Sequence, residues 1–168
     1  MKSAGFTLIE LIMVIVLISL ISALGIGLLP SAQEYKSPLF TDQLLNALRT
    51  TQRIALLREN PSDVLSLNVS RDSGEFQLQI MQSGSQLDLI AIEHGGAQLA
   101  FTNTDFTTPC ASMAASPLPQ ILYFNGAGDL TNASRVQVST NLRLCILASP
   151  ARELCIAPSG YAYAGSCI

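Results

Sequence analysis

Histidine, cysteine pairs at metal spacing and clustered basic charge are what this sequence has least of. It holds one histidine, His94, and no Cys-x-x-Cys, so a zinc site has no ligand set. Ser-His-Asp chemistry would need His94 as its base. No nucleophile elbow accompanies it, and Glu93-His94-Gly95 reads as a solvated turn. Charged residues are 12% of the chain, the net charge is −3, and no basic patch occurs. Electrostatic capture of nucleic acid, or of anionic headgroups by the region after the apolar N-terminus, is therefore not expected. The glycine-rich Asn125-Gly126-Ala127-Gly128-Asp129 leads into Leu130-Thr131, not the Lys-Ser/Thr of a phosphate loop, and reads as a tight turn. Asp105 and Asp129 lack the ligand run of a calcium loop. The residues imply neither an enzyme nor a cofactor.

What the sequence does have is a long apolar run. Residues 6–29 read FTLIELIMVIVLISLISALGIGLL with one charge, Glu10, and Lys2 is the only basic residue before them. Twenty-four helical residues span roughly 36 Å, enough for a bilayer core. Thr7, Ser19 and Ser22 can bond back to carbonyls of the same helix. Glu10 is the anomaly, because a carboxylate in hydrocarbon costs about 2.5–3.5 kcal/mol on insertion scales. It needs a cation or a strong donor, and no Lys or Arg is near it in sequence, so a partner on another chain is attractive. A conventional signal peptide would have a shorter apolar core and a small-residue cut, and a lipoprotein would need a cysteine just after the core, whereas the first is Cys110.

The leader Met1-Lys2-Ser3-Ala4-Gly5, the junction Gly5-Phe6, Glu10 five residues into the chain beyond it, and the apolar helix together resemble the N-terminus of type IV prepilins and pseudopilins. The resemblance implies removal of residues 1–5 by a prepilin peptidase that also N-methylates Phe6. It implies that Glu10 pairs with the N-terminal amine of a neighbouring subunit. The implied partners are other pilin subunits, the prepilin peptidase/methylase, and the inner membrane before assembly. The chain would be a single-pass protein whose remainder lies outside, then a filament subunit.

The domain plan that follows is a leader at 1–5, a filament-core helix at 6–29, and a pilin-like domain at 30–168. The expected class is α+β, with a long N-terminal helix packed on an antiparallel sheet. From Ser31 to Asn60, Phe40, Leu44, Leu48 and Ala55 recur at helical spacing, widened by Leu45, Ile54 and Leu56. Gln43, Arg49, Gln52, Arg53 and Arg58 supply a polar side. Pro30 and Pro38 should bend or interrupt this helix, and Asn60-Pro61 should end it. Alternation then predicts strands at 64–69 and 76–80 around a turn at 71–75, and at 87–92 and 99–101 around Gly95-Gly96. Residues 102–120 read as a long loop, followed by strands at 121–124, 136–138, 142–147, 153–157 and 161–164.

All four cysteines, Cys110, Cys145, Cys155 and Cys167, lie late in the chain and read as two disulfides of an exported domain. A hairpin turning at Ser149-Pro150-Ala151-Arg152 would put Cys145 opposite Cys155 and leave Cys110 to Cys167. A register slip would favour Cys155–Cys167 with Cys110–Cys145 instead. The segments 124–128 (Phe-x-x-x-Gly) and Pro158-Ser159-Gly160-Tyr161 resemble the tail of one pilin subgroup, the H-type minor pseudopilin of type II secretion and certain minor pilins. The late cysteines lean toward a minor pilin of the mannose-sensitive haemagglutinin type. The resemblance implies a minor pilin in pilus initiation and surface adhesion, or alternatively a minor pseudopilin in a periplasmic pseudopilus.

Overall fold

A computed structural model describes residues 7–25, 32–58 and 64–168, with side chains described for 7–22, 37–58 and 64–168. The chain divides into two units, Met1–Ser31 and Ala32–Ile168. The first holds helix α1, Leu8–Gly25, of 18 residues. Apart from Glu10, Ser19 and Ser22 its described side chains are apolar, and its large hydrophobic residues are 45% (Ile12) to 76% (Leu8) exposed.

The second unit opens with α2, Ala32–Leu56, which runs through Pro38. Among the described residues nine antiparallel strands follow, β1 (Leu65–Asp72), β2 (Glu75–Gln82), β3 (Ser85–Glu93), β4 (Gln98–Thr102), β5 (Gln120–Phe124), β6 (Leu130–Thr131), β7 (Leu142–Leu147), β8 (Arg152–Ile156) and β9 (Ala162–Ala164). They form one sheet in the order β3-β2-β1-β5-β6 and another in the order β4-β7-β8-β9. The α+β class is thus as expected, but the single long helix is not shown. Helical residues fall in two elements of separate units, and residues 26–31 between them lie outside the described residues.

Alternation explains the core. Leu65, Leu67 and Val69 of β1 and Phe76, Leu78 and Ile80 of β2 are fully buried on one face. On β7 and β8, Leu144, Ile146, Leu154 and Ile156 do the same, and Phe40, Leu44, Leu48 and Ala55 of α2 join them in one cluster. The Phe40 and Phe76 rings sit 5.0 Å apart. Each such side chain contributes about 1.5–3 kcal/mol of transfer free energy. Leu56, expected on the buried stripe, is 55% exposed.

The β1–β2 hairpin turns at Ser73-Gly74, both at positive φ. The expected strand at 136–138 is only a single bridge, Thr131 to Gln137. Local bonds explain this: the Asn132 carboxamide accepts the Ser134 and Val136 amides and curls the segment.

The closing segment joins the two sheets to α2. Arg49 Nε donates to the Ala162 carbonyl at 3.0 Å and Gln52 Nε2 to that of Ser159 at 2.8 Å. The Leu130 amide donates to Pro158 at 2.9 Å. Gly160 has φ +73°, and a Cβ there would collide with the Gly128 carbonyl oxygen. Only glycine satisfies both the left-handed backbone and the close approach.

Candidate functional site

At the start of α1, Thr7 is the N-cap and Glu10 the third helical residue. The Thr7 amide and hydroxyl donate to Glu10 Oε2 at 2.9 and 2.8 Å. The Glu10 amide reaches the Thr7 hydroxyl at 3.4 Å. This is a capping box, Thr-x-x-Glu, in which helix-end donors and side chains satisfy one another. The signal for it in the sequence is the Thr-x-x-Glu spacing of Thr7-Leu8-Ile9-Glu10. The carboxylate also sits at the positive end of the helix dipole. Both Thr7 bonds fall on Oε2, and Oε1 has no partner among the described residues. Ser19 and Ser22 return their hydroxyls to the Val16 and Ile18 carbonyls, both at 2.8 Å, as expected, whereas the Thr7 hydroxyl goes to Glu10 and not to a helix carbonyl.

The leader and the Gly5-Phe6 junction lie outside the described residues, as do 26–29 of the expected span. Eighteen helical residues rise roughly 27 Å. Among the described residues no helix is long and apolar enough to cross a membrane.

The disulfides differ from the preferred pairing. They are Cys110–Cys145 and Cys155–Cys167, with Cα separations of 5.3 and 5.1 Å. The register is the physical reason. Cys145 stands opposite Glu153 and Arg143 opposite Cys155, a shift of two residues that keeps all four side chains on one face. Arg143 and Glu153 form one diagonal of that face and the two cysteines the other, so each cysteine turns to the segment beside it. In the chain-entropy account each bridge contributes about 3–4 kcal/mol.

The Arg143–Glu153 pair was not singled out in the sequence, although both residues stand in apolar strand runs. Arg143 Nε and Nη2 donate to Glu153 Oε1 and Oε2 at 2.8 and 3.1 Å. Its Nη1 reaches the carbonyls of Thr108 at 2.8 Å and Asp105 at 3.2 Å. The Arg143 side chain is 4% exposed. It therefore holds the 103–119 loop against the sheet beside the cysteines. Asp105 accepts the amides of Thr107 and Thr108 at 3.0 Å each, and these bonds, Thr108's above all, hold its carboxyl well below the usual range.

His94 belongs to a turn, as expected. Its ring meets Arg71 Nη2 at 3.1–3.2 Å and packs edge-on to Phe76. Burial, then the Arg71 charge, lower its pKa. Asn125 accepts the Ala127 and Asp129 amides and closes the glycine-rich turn. Among the described residues no group of three or more His, Cys, Asp or Glu could hold a metal.

Residues 1–26 match the family model described as the prokaryotic N-terminal methylation motif. That match covers 26 of the 168 residues and agrees with the prepilin resemblance of the N-terminus. It covers the segment that contains Gly5, Phe6, Thr7 and Glu10. No curated protein and no solved structure matches the chain. The subgroup and the haemagglutinin type that the tail resembles are without support from these comparisons.

Proposed function

We propose that the chain is a prepilin cut between Gly5 and Phe6, N-methylated on Phe6, and assembled from the inner membrane into a type IV pilus as a minor subunit. Its role there is initiation and surface contact. The observation that carries this reading is the methylation motif with Glu10 at the third position of an apolar helix. In hydrocarbon the Glu10 charge costs about 2.5–3.5 kcal/mol, and two neutral donors from Thr7 offset only part of that. The amine of a neighbouring subunit at Oε1 supplies the missing charge. Glu10 is then the assembly residue and Phe6 its counterpart on the next chain. The second disulfide supports an exported destination.

Glu10→Ala tests the pairing. The variant should insert in the membrane with both disulfides formed, and should fall at least tenfold in sheared or extracted filaments. Normal incorporation would defeat the pairing. The tail segments that resemble an H-type pseudopilin favour a second reading, a subunit of a type II secretion pseudopilus. Antibody to residues 64–168 decides between them: labelling along surface fibres of intact cells supports the pilus, and labelling only after the outer membrane is opened supports the pseudopilus.

A further inference from the structure

The edges of the two sheets are not finished alike. At β4, the Ser116 amide donates to the Leu99 carbonyl and the Phe101 amide to Ser116 Oγ, both at 2.8 Å. At β6, the Leu130 carbonyl accepts the Val138 amide at 3.0 Å, and Gln137 bridges to Thr131. At β9, the Ala162 carbonyl accepts Arg49 Nε at 3.0 Å. The remaining edge is β3, with nine residues the longest of the described strands. Among the described residues, no backbone bond from another segment reaches the outer side of its Leu89 or Ala91.

The register shows which groups face out. The His94 amide donates to the Gly74 carbonyl at 3.3 Å, on the β2 side. Antiparallel ladders alternate, so Ile92 and Ile90 turn their backbone to β2, and Leu89 and Ala91 turn theirs outward. The Leu89 amide agrees, since it donates to the side chain of its neighbour, Asp88 Oδ1, at 2.8 Å. The register shifts between Ile80 and Met81, which limits the regular stretch of β3 to residues 88–93.

The backbone selects the class of occupant. Outward donors and acceptors two residues apart recur at roughly 6.8 Å along a strand. An extended polypeptide repeats its own at that spacing, and a sugar, nucleotide or lipid headgroup does not. Charge selects among polypeptides. Asp88 and Glu93 lie on β3, Glu75 stands opposite Glu93, and β3 carries no Lys or Arg. A second copy of β3 would bring acid to acid, whereas a basic segment complements it. Leu87 and Leu89, 48% and 44% exposed, add apolar contact. We infer that β3 accepts, by strand addition, a short extended segment of a partner protein that carries basic side chains. Asp88 is then a placeholder. An incoming carbonyl takes the Leu89 amide, and the freed carboxylate meets an incoming cation. The inference goes beyond filament assembly and does not depend on it.

The test uses the full chain, ¹⁵N-labelled, in a nonionic detergent. The probe is the capped hexapeptide Ser-Lys-Val-Arg-Val-Ser, titrated beside a copy with Glu at both basic positions and a copy with Pro in place of each Val. The basic peptide should give saturable shifts at Leu89 and Ala91 and slow exchange of the Ala91 amide. The acidic copy should bind about tenfold more weakly at low salt, and the proline copy not at all. Asp88→Asn should narrow the gap between basic and acidic peptides. Ala91→Pro deletes an amide that makes no bond to β2, so it should leave the spectrum away from β3 unchanged while abolishing binding. Glu10→Ala should bind the peptide like the parent, so failure of the filament reading stays separate from failure of this one. The inference is overturned if the basic peptide gives no saturable shifts at these residues, if the acidic copy binds as well, or if the proline copy or Ala91→Pro binds undiminished. Concentration-dependent shifts along β3 without peptide would make a second copy the occupant and overturn it too.

Discussion

Removing the Glu153 carboxylate is the sharpest perturbation of the domain. Glu153→Ala leaves Arg143, with its side chain 4% exposed, without its bidentate partner. Two carbonyls still accept from Nη1, but the charge is unneutralised. Breaking one half of a buried ion pair costs about 3–5 kcal/mol. For a domain of this size that lowers Tm by roughly 10–20 °C. The companion double variant Arg143→Leu with Glu153→Leu removes both charges and should fall much closer to the parent, since replacing a buried pair by apolar residues is often neutral. Thermal unfolding of the detergent-solubilised, oxidised chain, followed by circular dichroism, reads both. Limited proteolysis adds a local measure, because the 103–119 loop loses its anchor with Arg143. A Glu153→Ala loss below about 1 kcal/mol would show that water already solvates the pair and would refute the reasoning. So would a double variant less stable than the single one.

Gly160→Ala should cost about 2–4 kcal/mol, from the left-handed backbone together with the collision at the Gly128 carbonyl. Gly84→Ala, also at positive φ but with open space around it, should cost only about 1–2 kcal/mol; equal losses in denaturant titrations would remove the close-approach argument. Asp105 has a folded pKa depressed below its ordinary value of 3.8. Its contribution is therefore present above the ordinary carboxylate range and is lost as pH falls through the folded value. Protection of the Thr107 and Thr108 amides, taken relative to their intrinsic exchange at each pH, should fall in strong acid, and Asp105→Asn should remove that change; a Thr108 protection constant through the acid range contradicts the assignment.

Legibility of the fold in the sequence is high where a single period decides the structure. The stripe of Phe40, Leu44, Leu48 and Ala55 and the alternation through β1 and β2 are each set by one buried face. It is low where pairing across the chain decides. The β7–β8 register depends on where the turn falls, and a displacement of two residues leaves the alternation unchanged while exchanging every cross-strand neighbour. Arg143 and Glu153 stayed hidden for the same reason, since a charge in an apolar strand reveals nothing of its partner until the register is known. At the N-terminus two physical arguments compete for Glu10. The cost of Glu10 in lipid points to another chain, whereas the nearer donors are the amide and hydroxyl of Thr7, three residues away. The strand expected at 136–138 lost to Asn132, whose side chain competes for the backbone amides.

The fate of the N-terminus decides whether the chain is a processed prepilin, and intact-mass and N-terminal peptide mass spectrometry of the membrane-extracted protein reads it most directly. The mature chain should begin at Phe6 and carry one added methyl on its amine. A chain that retains residues 1–5 in a host with an active prepilin peptidase, or one cut after Leu24 or Gly25, would contradict that processing.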